Sequence, residues 1–92
     1  MGVLPLYMVE RVMPGATFQS LQEIRHAAEE VCGAFTAEGR SVRYLRSVFT
    51  PGESRCQCLF EAPSADLVQE VNDAAQIPYH RIVVALEIGA EE

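Results

Sequence analysis

The sequence predicts an α+β domain of β-α-β-β-α-β order, with two helices packed on one face of a four-stranded antiparallel sheet. Three observations carry that expectation. Two stretches repeat apolar residues at helical spacing behind a capping side chain, four short β-prone runs surround them, and a Pro-Gly turn joins the middle two runs.

The first strand is expected over Pro5 to Val12, a run of apolar and β-prone side chains that ends at Met13-Pro14-Gly15, where no ladder can continue. The first helix follows. Ser20 with Glu23 three residues later reads as a capping box, and Leu21, Ile24, Ala28, Val31 and Phe35 then mark one buried face. Thr17 is a rival cap one turn earlier. Glu38-Gly39 closes the helix, because glycine enters the left-handed conformation without strain.

Val42 to Phe49 and Arg55 to Ala62 flank Thr50-Pro51-Gly52-Glu53, where the Pro-Gly pair specifies a type II turn and hence a hairpin. Ser64 caps the second helix, which carries Leu67, Val68, Val71, Ala74 and Ala75 on one side and is expected to stop at Ile77-Pro78. The last strand, Arg81 to Ile88, is so apolar that it reads as buried on both faces. Ala90-Glu91-Glu92 reads as a solvated tail, and no linker or repeat divides residues 1–92, so one domain is expected.

Two right-handed crossovers sharing one hairpin give the ferredoxin-like arrangement, which leaves one sheet face without helices. That face needs a cover. Apolar side chains occur at both strand parities, Leu6 and Met8 against Tyr7 and Val9, and Val84 and Leu86 against Val83 and Ala85. The same face of a second copy is the simplest cover, closing two sheets into a dimeric α/β barrel about a twofold axis. A homodimer through the open sheet face is therefore expected.

Composition bounds the partners. Hydrophobic residues at 49% and charged residues at 22% support a packed core, though a thin one in a chain of 92 residues. A net charge of -6, with seven Arg and no Lys, leaves no basic stripe for nucleic acid or an anionic membrane. No apolar run approaches the roughly 20 residues of a membrane span, and no leader pattern opens the chain, so the cytoplasm is the expected address. Cys32, Cys56 and Cys58 are an odd number, with two at i, i+2, which suits free thiols.

Period-2 alternation sends Cys56, Cys58, Phe60 and Ala62 one way, expected beneath the helices, and Gln57, Leu59 and Glu61 the other. The cysteines then read as small core hydrophobes joined by Cys32. A thiolate metal site is the sharper alternative, but structural zinc wants four ligands and no paired motif completes them. Glu10, Arg11, Arg46, Glu61 and Glu87 interrupt the apolar strands, and a carboxylate is costly to bury alone. With Leu6, Met8 and Glu10 on the open side, Glu10 is expected near Glu61, with Arg46 or Arg11 as counter-ion. Two close carboxylates would hold a hard cation or raise one pKa, whereas the plainer reading is ion pairs sealing the rim. His26 sits between Glu23 and Glu30 at helical spacing, a weak surface metal site or a solvated face. His80, beside Tyr79 and Arg81, lines a pocket mouth or an exposed loop. No phosphate loop, nucleophile elbow or zinc-protease helix is present, so no residue pattern names a reaction.

The stretches Leu6-Tyr7-Met8-Val9-Glu10-Arg11, Val42-Arg43-Tyr44-Leu45-Arg46-Ser47, Cys58-Leu59-Phe60-Glu61-Ala62-Pro63, and Ile77-Pro78 with Arg81-Ile82 resemble the DUF4242 family over nearly the whole chain. The resemblance implies a small ferredoxin-like protein of the dimeric α/β-barrel kind, and some members are described as nickel-binding. Cys58 to Pro63 is its most specific block. Many members carry a histidine in the second helix where this chain has Val71 followed by Asn72, so an imidazole favoured by nickel is missing. A bound metal is expected first at Cys58, Glu61, Glu10 and His26. The favoured function is a non-catalytic dimeric protein holding a divalent metal such as nickel, or a small ligand, between sheet and helices or at the dimer interface. The alternative is a cofactor-independent isomerase or oxygenase-like enzyme with Glu61 or Glu10 as base and Arg46 holding an anion. A third reading, an interaction module, predicts an exposed apolar patch left over after dimerisation.

Overall fold

Local chemistry sets where each element starts and stops in the computed structural model, which describes residues 4–88. The elements are β1 (Leu6–Val12), α1 (Phe18–Ala37), β2 (Arg43–Thr50), β3 (Arg55–Glu61), α2 (Ala65–Ala74) and β4 (Arg81–Ala85). The strands form one antiparallel sheet in the order β2-β3-β1-β4, the expected ferredoxin-like topology. No described helix is long and apolar enough to cross a membrane. The expected tail at Ala90-Glu91-Glu92 lies outside the described residues.

The rival cap wins at α1. Thr17 Oγ1 accepts from the Ser20 amide at 3.0 Å, and Ser20 Oγ accepts from the Thr17 amide at 2.8 Å. Ser20 is thus the reciprocating partner of a capping box one turn earlier than the one expected with Glu23. At the other end Gly39 takes φ 90°, as expected for a glycine beyond the last turn.

The hairpin turn differs from expectation. Pro51–Glu53 wind into a 3-10 turn, and the left-handed position passes from Gly52 to Ser54 at φ 55°. Thr50 pairs with Arg55, so the connection is four residues long, and the Ser54 carbonyl accepts from the Met13 amide at 2.6 Å. That bond ties the hairpin tip to the end of β1.

Ser64 caps α2 as expected, its side chain accepting from the Leu67 amide at 3.3 Å. The helix stops before Ile77-Pro78, because Gln76 turns left-handed at φ 60°. The Gln76 amide donates to the Asp73 carbonyl and the Ile77 amide to the Asn72 carbonyl, the pairing of a Schellman motif.

Expected burial of the last strand on both faces is corrected. β4 ends at Ala85 and lies on the sheet edge, with Val84 70%, Leu86 84% and Ile88 92% exposed. The core sits between the helices and the inward face of the inner strands. Val9, Cys58, Phe60, Val68 and Val71 are fully enclosed, and Tyr44 meets the Phe60 ring edge-on with centroids 5.6 Å apart. A β-bulge between Tyr44 and Arg46 resets the parity of β2. It places Arg43, Arg46 and Val48 on the open side and leaves Tyr44, Ser47 and Phe49 facing the helices.

Candidate functional site

Strand register decides what the carboxylates meet. Leu6 pairs with Glu61 and Glu10 with Gln57, so Glu10 and Glu61 share the open face yet stand four ladder steps, about 13 Å, apart. Each has an arginine as its cross-strand partner. Arg81 donates to both oxygens of Glu10 at 2.9 and 3.4 Å, and Arg43 reaches Glu61 at 3.1 Å. The hydrogen bond from Arg81 holds the Glu10 carboxyl below the usual carboxylate range. Arg46 pairs instead with Glu87 beyond β4. The expected Glu10–Glu61 pair with Arg46 or Arg11 as counter-ion is therefore not built. The face is as expected; the register separates the charges, and between the two pairs lies an apolar band of Leu6, Met8, Leu59 and Val83.

The expected metal set does not converge either. Cys58 faces the helices, Glu10 and Glu61 face away from them, and His26 is exposed on α1. Among the described residues, no group of three or more His, Cys, Asp or Glu side chains comes together, the cluster around His26 included.

What the fold does assemble lies under the helices. Cys56 and Cys58 bring their sulfurs to 3.8 Å. Register gives each thiol two strand neighbours: Arg11 and Phe49 beside Cys56, Val9 and Ser47 beside Cys58. Ser47 Oγ donates to Cys58 Sγ at 3.0 Å and lies 2.7 Å from the Tyr44 hydroxyl, so a polar chain runs from the thiol towards the surface.

Arg11 is the unexpected member. It is 2% exposed, packed beneath the end of α2, where it donates to Asn72 Oδ1 at 2.8 Å and to the Pro78 carbonyl at 3.1 Å. Asn72 is fixed in turn by donating to the Val68 carbonyl at 2.8 Å. Arg11 Nε has no partner, and none of the salt bridges among the described residues includes this guanidinium. A buried cation without an anion is destabilising by several kcal/mol on general grounds, so something nearby has to carry negative charge.

The thiol pair beside it is shifted in that direction. Cys58 is lowered to about 6, first by the hydrogen bond from Cys56; burial opposes this, and the Arg11 charge and the Ser47 donor add to it. Cys56 moves the opposite way, pushed up as the thiol that keeps its proton for its neighbour and further raised by burial. Cys32 is pushed up to about 11 by burial and remains a core thiol.

A cleft of about 500 Å³ opens beside this pair, between α1 and β2. Phe18, Leu21 and Ile24 line it from the helix, Tyr44 and Ser47 from the strand, and buried Cys56 lies at its inner side. Of its charged lining residues, Arg25 is paired with Glu29 at 3.2 Å, and Arg46, beside the bulge, sends its side chain along the open side to Glu87. The arrangement can enclose an apolar or sulfur-seeking ligand; it offers no unpaired carboxylate for proton transfer. Nor does it fit a four-coordinate divalent ion, since two sulfurs and a hydroxyl fall short of four strong donors and Arg11 adds positive charge.

Two of these residues carried a signal in the sequence. Arg11 lies two residues from Val9 and so shares its inward parity, and Asn72 follows Val68 at i+4 on the buried stripe. Ser47 carried none, because the bulge that turns it inward breaks the alternation.

A family model described as nickel responsive protein SCO4226-like matches residues 7–84. The chain is also similar to SCO4226 from Streptomyces coelicolor A3(2), whose crystal structure superposes with a TM-score of 0.69 over 95% of this chain and 99% of that one. At 23% identity that likeness speaks for the fold. No curated protein matches the chain. The family match carries the description nickel responsive; the DUF4242 label is a further identification that it does not carry.

Proposed function

Because the chain belongs to the SCO4226-like family of nickel responsive proteins, we propose that it is a homodimeric binding protein, not a catalyst, which takes its ligand in the cleft between α1 and β2. The cleft itself carries this reading: a largely apolar chamber with a thiol at its inner side and its helix charges, Arg25 and Glu29, already paired with each other. The enzyme alternative needs Glu10 or Glu61 as a base near a cavity. Both carboxylates are held by arginines on the opposite side of the sheet.

A second copy is the occupant proposed for the open face. The apolar band of Leu6, Met8, Leu59 and Val83 is bounded at one end by Arg43–Glu61 and at the other by Arg81–Glu10, so each end offers both signs of charge to a twofold mate. A nickel ion would find two sulfurs and no imidazole in one chain, fewer donors than that ion's usual nitrogen-rich sites provide. Among the described residues of one chain, nickel therefore finds no complete donor set, and the cleft is proposed to take a small apolar ligand.

Two measurements test the reading. Sedimentation velocity is expected to give a dimer for the full chain and a monomer for Met8→Lys, which puts a charge in the apolar band; a monomeric parent removes the dimer. Anilinonaphthalenesulfonate is expected to gain fluorescence on binding the cleft and to lose that gain in Ile24→Trp, which fills it. Dye binding that ignores Ile24→Trp would place the ligand site elsewhere.

A further inference from the structure

We propose that Cys56, Cys58 and Arg11 form a site for a soft monovalent metal ion of the copper(I) or silver(I) class, held by both sulfurs and neutralised as an anionic bis-thiolate by the buried guanidinium. The proposal uses the cleft only as the route of entry. It rests on three features of the structure: the spacing of the sulfurs, the donors absent around them, and the sign of the charge beside them.

Spacing comes first. With a metal–sulfur bond of about 2.3 Å, one ion bridges two sulfurs 3.8 Å apart at an angle of about 110°, and the near-linear arrangement that a two-ligand ion favours needs them about 4.6 Å apart, an opening of under about 1 Å that side-chain rotation supplies. A disulfide is a poorer use of the same pair. Residues i and i+2 of a strand place their Cα atoms about 6.7 Å apart, at the limit of what a disulfide spans. The pair is thus set for a shared ion more than for a shared bond.

The donor set is soft and small. Among the described residues no cluster of imidazole or carboxylate joins the two thiols, and Ser47 Oγ donates to Cys58 Sγ at 3.0 Å. Thiolates without hard donors select ions such as copper(I), which is content with two or three ligands.

Charge separates a monovalent ion from nickel. Two thiolates and M⁺ carry one negative charge, which the Arg11 cation cancels; two thiolates and a dication carry none, leaving Arg11 as an unbalanced buried charge. Arg11 is the register neighbour of Cys56 and is held there by Asn72 and the Pro78 carbonyl, which leaves its Nε without a partner. Binding to a thiol and a thiolate balances as M⁺ + Cys56-SH + Cys58-S⁻ → [Cys56-S–M–S-Cys58]⁻ + H⁺, so one proton leaves for each ion bound.

The experiment is an anaerobic competition of the reduced full chain against the copper(I)–bicinchoninate complex, read as loss of the complex's colour. The chain is expected to withdraw one copper per protomer, and a tenfold excess of nickel chloride is expected to leave that copper in place. Cys58→Ser and Cys56→Ser each lose the withdrawal, while Cys32→Ser keeps it. Asn72→Asp leaves both sulfurs intact and gives Arg11 a carboxylate; copper affinity is expected to fall at least tenfold, and Asn72→Ser, which adds no charge, is expected to fall less. Copper retained in either cysteine variant, displaced by nickel, or held equally well in Asn72→Asp would overturn the proposal. Its failure is distinct from that of the cleft reading: dye binding without copper binding sinks the metal site alone, and copper binding without dye binding sinks the cleft alone.

Discussion

Glu10 and Arg11 are neighbours in the chain and belong to opposite regimes of the same sheet. On the open face Glu10 meets Arg81 directly across the ladder, and Glu61 meets Arg43 in the same way, each charge answered by its opposite on the next strand. On the helix face Arg11 meets an amide, a carbonyl and two thiols, and no carboxylate. The contrast teaches where the energetic stakes lie. Paired charges whose arginines reach solvent fix register at little gain, whereas the buried, unpaired one lies beside a thiol lowered first by its Cys56 neighbour and then by the Arg11 charge.

The largest test of that contrast is the pH dependence of stability. Cys58 is lowered from an ordinary 9.0 to about 6 in the folded chain, so its contribution is fully present above pH 9 and is lost as pH falls through 6. Cys56 is raised, so its contribution is present below the ordinary thiol value and is lost as pH rises beyond it. Together they predict a maximum near the ordinary thiol value, with a decline towards pH 6 of no more than about 4 kcal/mol. Urea unfolding of the reduced protein across this range measures it, and Cys58→Ala is expected to flatten the acid side. A Cys58→Ala curve as steep as the parent's would mean that the thiol is not the counter-charge. Glu10, lowered by Arg81, contributes in a different window: its share is present above the ordinary carboxylate value and goes only as pH falls below that.

Next in size is Asn72→Leu. It removes the oxygen that holds Arg11 Nη2 and leaves the guanidinium with one partner, at an expected cost of about 2 to 3 kcal/mol by urea unfolding with an unchanged m-value. A loss under 1 kcal/mol would mean that Arg11 is satisfied by the thiols alone. Just beyond Asn72, Gln76 is the left-handed residue that ends α2, a conformation natural to glycine. Gln76→Gly is expected to stabilise the chain by about 1 kcal/mol, read as a higher urea midpoint.

How far these two faces are legible in the sequence follows from what each feature depends on. Alternation is local, so Cys56, Cys58, Phe60 and Ala62 are readable as the inward set of β3, and Arg11 shares the parity of Val9. Register is not local: nothing within β1 or β3 says that Leu6, and not Glu10, stands opposite Glu61. The bulge in β2 is a third kind of information. By turning Ser47 inward against Cys58 it supplies a hydroxyl that strict alternation from Arg43 would have placed differently. The apolar run of β4 misleads because its exposure is decided by its place at the sheet edge, a property of topology and not of composition.

The smallest expected effect is the one that isolates the open face. Arg81→Met removes the bidentate partner of Glu10, yet the arginine side chain is 61% exposed, even though that of Glu10 is 11%, so the solvent-screened pair is expected to contribute less than Asn72 does. The stability change at pH 7 is expected within that bound, with an upward movement of the Glu10 titration towards the ordinary carboxylate value, seen by NMR of its side-chain carboxyl. That pairing of a visible titration change with a small stability change is what separates this face from the other. A loss comparable to that of Asn72→Leu would instead show that Arg81–Glu10 works as part of an interface with a second copy, because covering the pair removes the solvent that now screens it. Repeating the measurement in the Met8→Lys background decides between the two: a penalty that disappears with the dimer belongs to the seam, and one that persists belongs to the single chain.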